Sequence, residues 1–219
     1  MVKVLLSLFM MFQFSQNVTA GESKKISAKI SASTAQAEKS VQKQKVSKDS
    51  KMENKSTYKK ELATLAGGCF WGVEELIRKL KGVTNTEVGY TGGSLDNPLY
   101  TNVKLGTTGH AEAIQVEFDP SQITFEEILA YFFRLHDPTQ VNGQGNDIGT
   151  QYRSAIFYHD LKQKETAEKV KEKVDKSGKW KKPVVTQIVE YKKFYKAEDE
   201  HQDYLQKHPN GYTCHYLRD

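Results

Sequence analysis

The stretch Glu61–Gly82, ELATLAGGCFWGVEELIRKLKG, changes its hydrophobic period partway along. Its first six residues are short and apolar enough for a strand, and Gly67 and Gly68 punctuate the turn that follows. Beyond them Val73, Leu76, Ile77 and Leu80 recur at helical spacing until Gly82 stops the pattern. Downstream, a strand is expected over 84–90, followed by a loop rich in Gly, Asn and Pro. HAEAIQVEFDP (110–120) alternates as a strand and ends at Pro120. In TFEEILAYFFRLHDP (124–138), Thr124 reads as an N-cap with Glu127 three residues on. Phe125, Ile128, Leu129, Phe132 and Phe133 line one helical face, and Asp137-Pro138 stops it. A loop over 139–150 leads into a strand, QYRSAIFYH (151–159).

Residues 160–178 read as a charged surface helix with a thin stripe of Leu161, Ala167, Val170 and Val174. A last strand at 183–191, a short helix at 197–205 and an irregular tail complete the chain. The order β-α-β-β-α-β from Glu61 to His159 is the split-βαβ pattern. The expected fold is therefore α+β: a two-layer sandwich with a ferredoxin-like core, a mixed sheet and an irregular C-terminal tail.

Upstream, MVKVLLSLFMMFQFSQNVTA places Lys3 before an apolar run from Val4 to Phe14, and Val18-Thr19-Ala20 has the small-x-small form of a cleavage site. Residues 1–20 are expected to be a secretory signal peptide, because the apolar run falls short of the roughly 20 residues that a membrane span needs. Residues 21–57 hold no aromatic residue and no proline, and are expected to form a disordered Lys/Ser-rich linker. That leaves 58–219 as one catalytic domain, exported to the periplasm or the extracellular space, with no transmembrane span in the mature chain. Residues 21–60 carry eleven lysines against four acidic residues, so of the net charge of +5 the segment 61–219 holds −3. The basic balance belongs to the tail and gives no argument for nucleic-acid binding.

Cys69 is one of two cysteines, and it sits after Gly-Gly where a helix begins. Unpaired backbone N–H groups and the helix dipole favour an anion there, which should lower the thiol pKa. The three flanking glycines would let a substrate or partner approach closely. Phe70 and Trp71 lie outside the apolar stripe of the helix and could wall a pocket for a small alkyl group. The same position also suits a buried small hydrophobe, or half of a structural disulfide with Cys214, and the stretch alone leaves these open. Strand alternation places Glu112 on the same face as Ile114, Val116 and Phe118. A carboxyl held there loses hydration, keeps its proton near neutrality and becomes a candidate general acid. A strand end near solvent, or a salt bridge to Arg153, is the competing reading. His110 has no partner at metal-ligand spacing.

With these residues in hand, the chain resembles the A-type peptide methionine sulfoxide reductases. The resemblance runs through 61–215 and rests on GGCFWGVEE, VGYTGG, NPLY, GTTGHAEAIQVEFDP, HDPTQ and QGNDIGTQYRSAIF in that order. It implies that Cys69 attacks the sulfoxide sulfur and that Glu112 protonates the departing oxygen. Tyr100 and Tyr152 would donate hydroxyls to that oxygen, Asp147 would support them, and Phe70 and Trp71 would hold the methyl group. The resemblance further implies that Cys214 resolves the Cys69 sulfenic acid as a disulfide, which an external dithiol such as thioredoxin reduces. Oxidised proteins are then the substrates, the chain is expected to act as a monomer, and neither metal nor organic cofactor is needed. The chain departs from the family pattern in reading NPLY where Asn-Pro-Thr-Tyr is common, and VKLG where many members have Val-Cys. A thiol peroxidase or cysteine hydrolase would use the same thiol, the hydrolase with an added histidine base and oxyanion hole. A binding module stapled by Cys69 and Cys214 would need neither.

Overall fold

A computed structural model describes residues 59–218. The expected signal peptide and linker lie outside the described residues. In chain order the elements are β1 (Glu61–Gly67), α1 (Phe70–Ile77), β2 (Val83–Thr91), the single turn α2 (Tyr100–Val103), β3 (Ala111–Phe118), α3 (Phe125–Leu135), β4 (Gly143–Gln144), β5 (Asp147–Ile148), β6 (Ser154–Tyr158), α4 (Leu161–Asp175), β7 (Gln187–Glu190), β8 (Phe194–Lys196) and α5 (Tyr204–Lys207). Six strands form one sheet in the order β7-β6-β1-β3-β2-β8. β1 lies antiparallel between β3 and β6, β2 pairs antiparallel with β3, and β6 and β7 run parallel. This is the expected split-βαβ core in a mixed sheet. Among the described residues no helix is long and apolar enough to cross a membrane.

Alternation along the strands sorts side chains between two faces. Ala63 and Leu65 of β1, Val88 and Tyr90 of β2, Ile114, Val116 and Phe118 of β3 and Ile156 of β6 pack with Val73 and Ile77 of α1 and Ile128, Leu129 and Phe132 of α3. The other face is lined by Ala66, Ala111, Ala113, Ala155 and Phe157, against which Tyr191 and Phe194 pack. These two aromatics lie on the connection between β7 and β8, which occupy opposite edges of the sheet. Six flat strands would set those edges about 24 Å apart. The four steps from Glu190 to Phe194 span at most about 14 Å. The sheet must therefore curl around its second face, and the small alanines make room for the crossing chain.

The capping box on α3 forms as expected: the Thr124 hydroxyl accepts from the Glu127 N–H at 3.2 Å, and the Glu127 carboxylate accepts from the Thr124 N–H at 2.8 Å. Four expectations need correction. α1 ends at Ile77, and Leu80 to Gly82 form a turn whose last residue takes φ +100°. Tyr152 does not open a strand but closes a 3₁₀ turn at Thr150–Tyr152, and the loop before it contains the small hairpin β4–β5. Leu161 is 73 % exposed, and the buried position near that end of α4 goes to Gln163, whose side-chain amide donates to the Leu62 carbonyl at 2.7 Å. The last helix begins at Tyr204 because Asp203 takes the left-handed conformation, φ 55°, and its N–H donates to Glu74 on α1.

Candidate active site

β1 delivers the chain to Gly68, whose φ of +106° turns it into α1. A Cβ at Gly68 would lie 2.7 Å from the Gln144 Cβ, so only glycine fits. Cys69 is the N-cap of α1, and the next backbone N–H, that of Phe70, donates to Glu112 Oε2 at 3.2 Å. Glu112 stands opposite Tyr90 in the β2–β3 ladder, on the helix-facing side, and is 1 % exposed. Arg153 is engaged elsewhere, donating to Thr150 and Gly109 carbonyls and to Gln187, so the salt-bridge reading is excluded. Burial pushes the Glu112 pKa up to about 8, with the Phe70 N–H pulling it down and Asp147 adding a smaller push. The carboxyl therefore holds its proton at neutrality, as its strand parity implied.

The expectation for Cys69 is overturned. Its thiol is pushed far above its ordinary range, first by burial and then by the negative charge available to Glu112; the Trp71 N–H acts the other way but is outweighed. The helix terminus is present, yet the side chain there is only 6 % exposed. Cys69 and Glu112 each disfavour the other's charge, so the resting site holds a thiol beside a carboxylic acid. Glu74, on the same helix, is 1 % exposed. Its charge is met by Arg78 at 2.6 Å, by Thr86 and by the Asp203 N–H.

Phe70 is 1 % exposed and part of the core, with its ring 5.9 Å from that of Tyr90. Trp71 is half-buried. Its ring stacks on Tyr204 at 3.8 Å and 16°, and its indole N–H donates to His201 Nδ1 at 3.3 Å. Tyr100 opens α2, its N–H held by Glu198 at 2.8 Å and its ring 4.4 Å from His201. Burial, then the charges available to Glu112 and Cys69 among others, raise the pKa of both Tyr100 and Tyr152. Both hydroxyls stay protonated, and among the described residues neither has a hydrogen-bond partner. Asp147 accepts from the Tyr212 hydroxyl at 3.0 Å, while its Oδ2 is buried without a partner.

Cys214 is half-buried against the same core cluster as Cys69, and both are free thiols. Burial and the Asp147 carboxylate push the Cys214 pKa up to about 12, while the Cys69 N–H pulls it down. The tail around it is pinned by hydrogen bonds. Tyr212 reaches Asp147, His215 Nε2 donates to the Gly67 carbonyl at 2.7 Å, and Arg218 donates to the Arg134 and Leu135 carbonyls. This same tail fills the space at Gly72, where a Cβ would lie 2.3 Å from Thr213 Oγ1 and 2.5 Å from His215 Nδ1. The glycine serves the chain's own C-terminus, not a docking substrate. His110 is structural: its ring binds the Leu95 carbonyl and the Gly93 N–H. Among the described residues no cluster of His, Cys, Asp and Glu could hold a metal ion.

All eight candidate residues thus converge on the start of α1. The reading of the residues missed Glu198, for which the sequence offered no signal, and His201, Tyr204, Tyr212 and His215, whose one signal was the density of His and Tyr in HQDYLQKHPNGYTCHY (201–216). Residues 61–219 match the family model of peptide methionine sulfoxide reductase. The chain belongs to that family. The reductase MsrA of Streptomyces avermitilis is 56 % identical over 156 residues, covering 71 % of this chain and 89 % of that protein. The crystal structure of reduced Mxr1 from Saccharomyces cerevisiae is similar at a TM-score of 0.69 and 41 % identity, covering 75 % of this chain and 98 % of that one. Mxr1 in complex with Trx2 is similar at 0.51 and 30 % identity, covering 78 % and 97 %. As in any peptide methionine sulfoxide reductase, a thiol has to meet a sulfoxide; here the thiol, the acid and two hydroxyls lie on one face of the sheet.

Proposed function

We propose that this chain reduces methionine S-sulfoxide, free and in oxidised proteins, with Cys69 as nucleophile, Glu112 as acid and Cys214 as resolving thiol. The observation that carries the reading is the pairing of Cys69 at the head of α1 with a buried Glu112 bonded to the adjacent N–H. The sulfoxide oxygen accepts from the Tyr100 and Tyr152 hydroxyls, while Trp71, backed by Tyr204, bounds the methyl group. Glu112 passes its proton to that oxygen, and the carboxylate so formed takes the proton of the Cys69 thiol as sulfur meets sulfur. The adduct collapses to methionine and a Cys69 sulfenic acid, with no net change in protons. This sequence suits a thiol of high pKa, because thiolate forms only when the acid has given its proton away.

Cys214 then condenses with the sulfenic acid, releasing water and leaving a Cys69–Cys214 disulfide. A thioredoxin-like protein reduces it, a reading supported by the Mxr1–Trx2 complex. The leader sequence supports action outside the cytoplasm. Single-turnover assays on methionine S-sulfoxide test the scheme: Cys69→Ser should form no methionine, whereas Cys214→Ser should form one per enzyme and then stop. Activity in Cys69→Ser would refute the assignment.

A further inference from the structure

The recycling step lacks a base in the scheme above. Cys214 must lose its proton to attack, yet burial and the nearby Asp147 hold its pKa near 12. The nucleophile is needed as a thiolate. The next residue in the chain supplies what is missing. His215 is 6 % exposed, and its Nε2 lies 2.7 Å from the Gly67 carbonyl. A carbonyl oxygen can only accept, so Nε2 must carry the proton and Nδ1 must present a lone pair. That Nδ1 lies 3.5 Å from Cys214 Sγ.

We propose that His215 is the general base for disulfide formation, taking the Cys214 thiol proton on Nδ1 as Cys214 attacks the Cys69 sulfenic acid. This rests on the resolving role given to Cys214 above. Nδ1 takes the proton, and the electron pair of Cys214 sulfur forms the S–S bond. The Cys69 S–O bond breaks, and its oxygen leaves as water with the proton returned from the imidazolium. Cys69 sulfur is reduced by the step and Cys214 sulfur is oxidised by it, so no outside redox partner enters.

The surroundings keep the base ready. Burial lowers the His215 pKa, the Gly67 carbonyl raises it, Arg218 lowers it and Asp147 raises it; the net direction is down, and the ring is neutral at physiological pH. His136, from the end of α3, and Tyr212 complete the titratable groups nearby. Asp147 also approaches the Cys214 thiol and is the rival acceptor. His215 differs in having its free lone pair fixed toward sulfur by a second, buried hydrogen bond.

The test separates the two steps by rapid quench, thiol alkylation and mass analysis, with N-acetylmethionine S-sulfoxide as substrate. His215→Gln keeps an amide N–H for the Gly67 carbonyl but offers no base at the Nδ1 position. It should slow Cys69–Cys214 disulfide formation by about 100-fold or more at pH 7. The unaltered chain should form the disulfide at a rate that is flat from pH 7 to 9, whereas the variant's rate should climb about tenfold per pH unit, as an unassisted thiol does. A disulfide rate in His215→Gln equal to that of the unaltered chain would overturn the proposal. So would loss of the step in Asp147→Asn with His215→Gln unaffected. If His215→Gln does not fold, the unaltered chain decides alone, since a rate climbing tenfold per pH unit rules out a resident base. Failure of the unaltered chain to form any Cys69–Cys214 disulfide would instead sink the resolving role of Cys214.

Discussion

Glu112→Gln should make the fold more stable at neutral pH while removing the acid from the reaction. Burial raises the Glu112 pKa from 4.5 to about 8. Between those two values the unfolded chain has released the proton and the folded chain has kept it. The folded state therefore binds more protons, and stability falls as pH rises, by about 1.4 kcal/mol per pH unit from this one group. The penalty is absent below the unfolded value and complete above the folded one. Glutamine does not titrate, and its side-chain oxygen still accepts from the Phe70 N–H, which lies 3.2 Å from Glu112 Oε2. Relative to the unaltered chain, the variant should gain up to about 2.7 kcal/mol between pH 5 and pH 7. Urea unfolding of both proteins at pH 5, 6 and 7 measures this directly. A difference that stays constant to within about 0.5 kcal/mol would refute the raised pKa and with it the argument for a resident acid. Sulfoxide reduction by the variant should fall about 100-fold or more. In the unaltered chain the single-turnover rate should decline as pH rises through about 8, the value at which Glu112 gives up its proton.

Two further substitutions probe the pieces that hold the site. Gly72→Ala would place a methyl 2.3 Å from Thr213 Oγ1 and must push the tail aside; steady-state turnover with a dithiol should drop about tenfold while the first methionine per enzyme still forms, and equal effects on both would count against the tail's separate role. Tyr204→Ala removes the ring stacked 3.8 Å from Trp71; KM for methionine S-sulfoxide should rise about 2- to 10-fold with kcat retained, and an unchanged KM would show that Trp71 needs no such support.

The contrast between Glu112 and Cys69 shows what the chain made legible before its fold was known. Glu112 was readable because strand parity is local: two residues from Ile114 and four from Val116, it had to face the helices. The acidity of Cys69 was not, because the helix terminus is local but the burial and the opposing carboxyl come from β3, more than forty residues away in the chain. The same division runs through the rest. Periodicity marked β1, α1, β3 and α3, where long apolar faces meet. It said nothing of β8, of the turn at Thr150–Tyr152, which follows Gly149 at φ +147°, or of the Trp71–Tyr204 stack, whose tyrosine follows the left-handed Asp203. The tail's hydrogen bonds to Asp147, Gly67 and Arg134 likewise join residues that no spacing rule connects.

The two outer strands carry a consequence for a protein whose proposed clients are damaged and partly unfolded. Unpaired strand margins recruit stray polypeptide by main-chain hydrogen bonding, and natural sheets blunt them with brevity and lysine. Here β7 has four residues and β8 three, and Lys192, Lys193 and Lys196 stand exposed on and beside β8. A chain that must meet sticky, oxidised neighbours thus offers them little template for co-aggregation.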